Sequence, residues 1–336
     1  MTEEATRPKR PRRAAAKKAK APDVTIVIPS YRRSDRLPGL MDALSAQTFP
    51  ADEFEVIAVD NCSGDDTWET LTTLSATVPF SMRLLQTEVN RGPAPARNLG
   101  WRSAESSIVV FLDDDCLPDP EWLAGGVAVM RADESLGVLQ GRVRTPYDFN
   151  PVGMPNWYHC QIIDGPTPYF EACNIFYRRA ALEDTQGFDE GIGWWCEDTA
   201  LGWEVVEAGW GRGFAPDAVV EHGVQLRGWR WHYDNGLLER NVVKMAAEHP
   251  GFRAEAFWKP WAFRRADAGF VLAVVGLLGA LRFRPALLLA LPYLWWRRPR
   301  QVQPDRYRLI AQSVAVDAAR SASHLRAAVE NRVMVI

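Results

Sequence analysis

The sequence is short of the residues that staple or metallate small domains. It has five cysteines, Cys62, Cys116, Cys160, Cys173 and Cys196, an odd number with no two at C-x-x-C spacing. That spacing excludes a zinc ribbon and a disulfide framework and points to reduced thiols in a reducing compartment. Net formal charge is only −3, so the chain as a whole is not built as a polyanion binder. No uninterrupted apolar run reaches the roughly 20 residues that a spanning helix requires. The opening residues also lack the apolar core of a secretion signal, so a cytoplasmic location is expected. No internal repeat is visible.

What charge there is lies unevenly. Residues 1–21 carry eight Lys or Arg against Glu3 and Glu4, with no aromatic side chain. Such a stretch buries too little apolar surface to offset its ordering entropy, and a disordered basic tail is expected there. It would act as a solubilising tail or as a contact for anionic headgroups. Nucleic-acid binding would rest on that tail alone, with no recognised module behind it, so no nucleic-acid partner is expected. Tryptophan, by contrast, is abundant: fourteen residues, most of them after position 190. Besides filling cores, Trp offers flat platforms for sugar rings and sits well at membrane interfaces.

The first half alternates strand and helix patterns. Val24-Thr25-Ile26-Val27-Ile28, Phe54 to Val59, Arg83 to Thr87 and Ile108 to Leu112 read as strands. Residues 35–47, Thr67 to Leu74 and Pro95 to Ala104 read as the helices between them. This order predicts an α/β fold with a mostly parallel sheet covered by helices. In such sheets ligands gather at the carboxyl ends of strands. Polar clusters begin at Ser30, Asp60 and Asp113, each at a strand end, and together they point to a site. Further strands are expected at Gly137–Val143, Ala172–Tyr177 and Ala218–Val220, and a helix at Glu197–Ala208. Residues 145–170, rich in Pro, Gly and aromatics, suggest loops shaping a cleft.

The last third changes character. Ala268 to Leu281 is uncharged, Arg282-Phe283-Arg284-Pro285 interrupts, and Ala286 to Trp296 is apolar again. Arg264 and Arg265 precede the pair, and Arg297, Arg298 and Arg300 follow it. Neither half spans a bilayer alone, and merging them would bury two arginines near its middle. A helical hairpin lying in one leaflet fits best, with buried core helices or a true span as alternatives. A final amphipathic helix is expected over 305–330.

Asp113-Asp114-Asp115 carries the clearest chemistry. Three carboxylates in a row at a strand end repel one another unless a cation neutralises them. A hard divalent ion, shared between carboxylates and substrate phosphates, is the usual solution.

From Val24 to about His222 the chain resembles the family 2 glycosyltransferases of the GT-A (Rossmann-like) fold. Val24–Arg33 resembles the family's opening strand and loop. Phe54–Ser63 with Asp65-Asp66-Thr67 resembles its nucleotide-binding turn, and Asn90–Gly100 its loop-to-helix motif beside the donor. Asp113-Asp114-Asp115 resembles the D-x-D element. Glu197-Asp198, after Gly187-Phe188-Asp189-Glu190, resembles the acidic pair on the acceptor side. The resemblance implies that Pro29, Tyr31 and Asp60 cradle base and ribose, with Asn61, where many relatives have a second Asp, beside the base. It implies Arg97 lining the donor pocket, Asp113 and Asp114 near ribose or sugar, and Asp115 on a Mg²⁺ or Mn²⁺ ion. His222 would be a further metal ligand, and Asp198 the catalytic base. The implied partners are a nucleoside-diphosphate sugar donor and a saccharide acceptor; anchoring by the apolar hairpin at the inner face of the plasma membrane makes a polyprenyl-linked acceptor a reasonable expectation.

Two departures matter. Trp203-Glu204 stands where relatives often carry Arg beyond the acidic pair. The Q-x-x-R-W signature of processive synthases is absent, which favours addition of single sugars. A sugar-nucleotidyltransferase would share the core, yet Pro-Ser-Tyr-Arg-Arg follows the first strand where that class needs a Gly-rich loop. A non-catalytic membrane-anchored scaffold is the other alternative. The expected organisation is a basic tail at 1–21, a GT-A domain at 22–240 and a connector at 241–265. A membrane-associated hairpin at 266–300 and a C-terminal helix at 301–336 follow.

Overall fold

The computed structural model describes residues 22–146, 149, 158–297 and 306–335. The basic tail at 1–21 and Arg298 and Arg300 lie outside these residues.

The chain opens with β1 (Val24–Ser30), α1 (Leu37–Ser45), β2 (Phe54–Asp60), α2 (Thr67–Ser75), β3 (Ser81–Gln86), α3 (Pro93–Ser103) and β4 (Ile108–Leu112). It continues through β5 (Cys116–Pro118), α4 (Trp122–Ala132), β6 (Leu136–Arg144), β7 (Tyr158–His159), β8 (Asn174–Arg178), α5 (Arg179–Thr185), α6 (Glu197–Glu207), β9 (Gly211–His222) and β10 (Gln225–Leu226). Helices follow: α7 (Trp229–Leu238), α8 (Arg240–Glu248), α9 (Pro250–Ala256), α10 (Arg265–Ala280), a 3-10 helix (Arg284–Ala290), α11 (Leu291–Arg297) and α12 (Arg306–Glu330).

Eight strands form one sheet in the order β3-β2-β1-β4-β8-β6-β9-β5. The first four are parallel, as the alternation of strands and helices requires. Beyond β4 the sheet is mixed, because β8 enters antiparallel to both β4 and β6. Successive residues of β1 point to opposite faces: Val27 packs in the core under α3 and α6, Ile26 and Ile28 in the core under α1 and α4. Both faces are therefore covered, and β1, β2 and β4 are buried nearly throughout.

Register places the site. Ser30 pairs with Asp60 at the ends of β1 and β2, and Val27 with Phe111 on β4. The three aspartates thus leave the sheet beside Pro29 and Ser30. Asn174, fully buried opposite Leu112, ties the mixed half together. Its Oδ1 accepts from Trp122 Nε1 at 2.8 Å, and its Nδ2 donates to the Arg142 and Ala218 carbonyls at 2.9 Å each. One side chain so joins α4, β6 and β9.

The short β5 and α4 carry no signal of their own. α4 contains Gly125-Gly126, a poor helix former. It is helical because Gly126 lets it rest directly on β8: a Cβ there would stand 2.2 Å from the Phe176 ring. The stretch read as a connector, 241–265, is not extended chain but contains most of α8, with α9 after it.

Replacing Asn174 by Ala would strand one buried donor and two carbonyls. A loss of about 3 kcal/mol in unfolding free energy is expected, read as a fall in the urea midpoint with an unchanged slope. An unshifted midpoint would show that the three bonds do not hold the sheet.

Candidate active site

The carboxyl ends of β1 and β4 and the start of α6 open into one cavity of about 580 Å³. Pro29, Tyr31, Asn61, Arg97, Asp113, Asp114, Asp115 and Asp198 all line it, although they span some 170 positions of sequence. Asp60 and His222 stand behind the wall.

Arg97 is the link between the two acidic groups. Pro93 at the first position of α3, after Gly92 at φ +101°, sets the helix so that this side chain points inward and is buried. Its Nη2 lies 2.9 Å from Asp113 Oδ1 and its Nη1 2.8 Å from Glu197 Oε1. The guanidinium also lies over the Phe188 ring, 5.5 Å from its centre. Burial alone would weaken its charge, but Asp113, Glu197 and Asp198 outweigh that and raise its pKa. Asn98 on the same helix receives the Phe188 N–H at 3.0 Å and donates to the Phe188 carbonyl at 2.8 Å, fixing the loop that leads to α6.

The three aspartates part company. Asp113 faces Arg97. Asp114 is turned back towards β1, accepting the Tyr31 N–H at 3.3 Å and pairing with Arg33 Nε at 3.2 Å. Burial, then the charge of Asp115, pushes its carboxyl up to about 7. Asp115 lies 3.6 Å from His222 Nε2 and 3.7 Å from Arg33, and it accepts from the Gln225 amide.

Asp115 and His222, with Cys116, form the one cluster among the described residues that could hold a metal ion. The His222 Nδ1 sits 2.8 Å from the Gly223 carbonyl, which can only accept. In the neutral ring that a metal ligand requires, the proton therefore belongs on Nδ1, and the Nε2 lone pair faces a carboxylate oxygen. Two electron-rich atoms held face to face fit a cation. Cys116 fits less well, because burial raises its thiol well above its ordinary range and keeps it protonated.

Asp60 and Asn61 act on the loops around the cavity. Asp60 is buried and accepts the Ser63 N–H at 3.2 Å, the Ser63 hydroxyl and the Gln86 amide at 2.7 Å. Asn61 donates to Asn90 Oδ1 at 3.2 Å and to the Gly92 carbonyl at 2.9 Å and accepts from Thr87 at 2.9 Å. Its amide is used up in holding the loop before α3.

Opposite the aspartates, α6 begins after two left-handed residues, Trp195 at φ +78° and Cys196 at φ +70°. Asn241 secures this strained turn, donating to the carbonyls of Ile192, Trp194 and Trp195 at 3.0–3.3 Å. Asp198, in the first turn of α6, accepts the Ala172 N–H at 3.1 Å and the Thr199 N–H at 2.8 Å. Burial raises its pKa, against the pull of Arg97 and the two amides. Glu197 is likewise raised by burial and by Asp198.

Sequence reasoning missed several cavity residues. Arg33 closes the opening strand and loop Val24–Arg33, a legible signal. Glu171 carried none, since only folding brings it beside Asp198; Tyr169, in the loops expected to shape a cleft, and Trp231, among the clustered tryptophans, were legible as regions rather than as single residues. Burial pushes the Glu171 carboxyl up to about 7 from an ordinary 4.5, while its Oε2 accepts from Thr167 at 2.8 Å.

A raised carboxyl favours the folded state while it keeps its proton. The Glu171 contribution is present below about 4.5 and is lost as pH rises through about 7. Glu171→Gln, always neutral, should gain on the parent by about 2 kcal/mol between pH 5 and pH 8. Thermal melts of both proteins across that range test this, and a pH-independent gap would refute it.

Comparison with known proteins identifies the family and the fold. The family described as Glycosyl transferase family 2 matches residues 25–192, half of the chain. Glycosyltransferase AglE of Haloferax volcanii is 32% identical over 126 residues, 38% of this chain and 41% of that protein. The pre-mycofactocin glycosyltransferase of Mycobacterium tuberculosis is 29% identical over 248 residues, 68% of this chain and 48% of that protein. The chain thus spans less than half the length of these two curated relatives. Among solved structures, the mannosyltransferase PcManGT from Pyrobaculum calidifontis, in complex with GDP-Man and Mn²⁺, superposes with a TM-score of 0.61 at 24% identity. That alignment covers 96% of this chain and 91% of the other and shows the shared GT-A fold. The chain belongs to glycosyl transferase family 2.

Proposed function

We propose that the protein is an inverting, metal-dependent glycosyltransferase. It moves a sugar from a nucleoside diphosphate to a hydroxyl of a saccharide or lipid-linked saccharide. The observation that carries this reading is the single cavity in which Asp113–Asp115 and Asp198 lie on two walls joined by Arg97. The ligands of two structural neighbours support the donor class: GDP-Man in the Pyrobaculum mannosyltransferase, and UDP-GlcNAc in Staphylococcus aureus TarS, which superposes with a TM-score of 0.52 at 18% identity over 93% of this chain and 92% of that chain.

On this reading Pro29 and Tyr31 border the base and ribose, with Asp60 and Asn61 holding the loops beneath them. Asp113, oriented by Arg97, takes a hydroxyl of the ribose or sugar. Asp115 and His222 would hold Mg²⁺ or Mn²⁺, whose charge offsets that of the departing diphosphate. The second oxygen of Asp115 is held by Gln225 and Arg33. Asp198 takes the proton of the acceptor hydroxyl as its oxygen attacks the anomeric carbon and the bond to the diphosphate breaks. Each of its oxygens already accepts one backbone N–H, which fixes the carboxylate and leaves lone pairs for that proton. Partial burial makes it a stronger base than an exposed aspartate. Trp194, Trp195 and Trp231 supply apolar faces for the acceptor. The acceptor is presented at the inner face of the plasma membrane with the protein in peripheral contact. The exposed apolar surface of 265–297 supports that placement.

Asp198→Asn should leave donor affinity within about twofold and lower sugar transfer by roughly 10²–10⁴-fold. Donor binding is read by calorimetry, and turnover by release of nucleoside diphosphate from a panel of UDP-, GDP- and dTDP-sugars with a divalent metal. Parental turnover in the variant would remove Asp198 from the role of base. Pyrophosphate release by the parent from a nucleoside triphosphate and a sugar 1-phosphate would indicate nucleotidyl transfer, and binding without turnover a scaffold.

A further inference from the structure

Residues 265–297 form a surface that the sugar chemistry does not use. α10 runs out to Ala280, and the chain reverses through Leu281–Phe283. The 3-10 helix and α11 then return along α10. The return is close because glycines face it. A Cβ on Gly276 would stand 2.7 Å from the Ala286 carbonyl oxygen, and one on Gly279 3.2 Å from the Ala286 Cβ. Backbone approach over small residues is how helices associate where no hydrophobic effect drives them together.

The outward side is apolar. Leu278, Leu281, Phe283, Leu288 and Trp295 are each at least 64% exposed, and surface of this kind marks a contact. Its charge has one sign. From Arg265 to Arg297 the only acidic residue is Asp267. That residue is buried, its carboxylate accepting the Arg264 N–H at 3.1 Å. Arg282 and Arg284 stand exposed, with no carboxylate paired to them among the described residues. No described helix is long and apolar enough to cross a membrane.

We propose that α10, the 3-10 helix and α11 seat in one leaflet of a bilayer containing anionic lipid, lying in the plane of the headgroups. The plane is set by Arg282 and Arg284. End-on insertion would drive both into the hydrocarbon, whereas a flat hairpin lets them reach back to lipid phosphates while Leu281 and Phe283 enter the acyl region. α10 begins next to Arg264, which lines the cavity, so the bilayer brings a membrane-borne acceptor to the cavity wall. This rests on the membrane placement in the proposed function and is independent of the transfer chemistry.

The test is co-sedimentation of the full chain with sucrose-loaded vesicles of phosphatidylcholine, alone or mixed with phosphatidylglycerol. The expected result is stronger binding to the mixed vesicles, weakened by salt. Arg282→Gln with Arg284→Gln should lower affinity for mixed vesicles by about fivefold per arginine. Leu281→Asp with Phe283→Asp should abolish binding to both. Circular dichroism and nucleotide-sugar turnover matching the parent show that each variant is folded. Anionic binding that survives Leu281→Asp, Phe283→Asp would belong to the basic tail at 1–21 and overturn the proposal. So would equal binding to both vesicle types, no binding to either, or a dimer in ultracentrifugation that vesicles do not dissociate.

Discussion

A buried guanidinium organises this molecule. Arg97 sits between Asp113 at the end of β4 and Glu197 at the start of α6, about 3 Å from each. Taking Arg97 and Glu197 out of water is costly, and pairing at short range, with the partly exposed Asp113 as a second partner, offsets it. Each partner is therefore held where the others need it. Breaking one such contact typically costs about 3–5 kcal/mol, because the remaining charges stay buried and unpaired. On the proposed reading, the geometry that makes Arg97 structural also gives it its place in the site. It fixes the distance between the donor-side carboxylates and the helix that presents Asp198. The family resemblance put this arginine in the donor pocket; the structure adds that its charge is already spent on the two walls.

A second set of buried charges does comparable work in the C-terminal part. Glu239, between α7 and α8, is buried and meets Arg264 at 3.2 Å, Arg320 at 2.7 Å and His324 at 3.7 Å. Burial by itself would raise its pKa, yet His324, Arg264 and Arg320 together hold it down at about 2. Asp317 on α12 accepts from Tyr293 at 2.6 Å and pairs with Arg297, which fastens α11 to the same helix. The apolar hairpin is thus anchored by ion pairs on its inner side and by glycine contacts between its arms. Glu239 and Arg264 also line the cavity, so the mount of the hairpin and the far wall of the site share residues.

Much of the donor half was legible because its signals are local. A β-branched run closed by Pro29, another closed by Asp60 and a third closed by Asp113 are strands buried on both faces, and their ends must be polar where the chain leaves the sheet. The D-x-D element could be read the same way, from mutual repulsion in three adjacent carboxylates. The short β5 and the glycine-bearing α4 could not, because their conformation comes from contacts with β9 and Phe176 rather than from their own propensities. Nor could the helices α8 and α9 in the stretch read as a connector, whose buried positions pack against α12 and the main core.

The sequence by itself determined which residue types were available at strand ends and hence the chemistry they can do: carboxylates for a cation, an aspartate for a proton, arginines of one sign along an apolar hairpin. Only the tertiary structure decided how those groups divide the labour. It set Asp114 back against Tyr31 and Arg33, faced Asp115 towards His222, spent the amide of Asn61 on a loop, and brought Glu171 beside Asp198. The reason is physical. Local pattern reports what a residue would do in water or in a regular element, whereas pKa, tautomer and hydrogen-bond partner depend on neighbours that lie a hundred positions away along the chain.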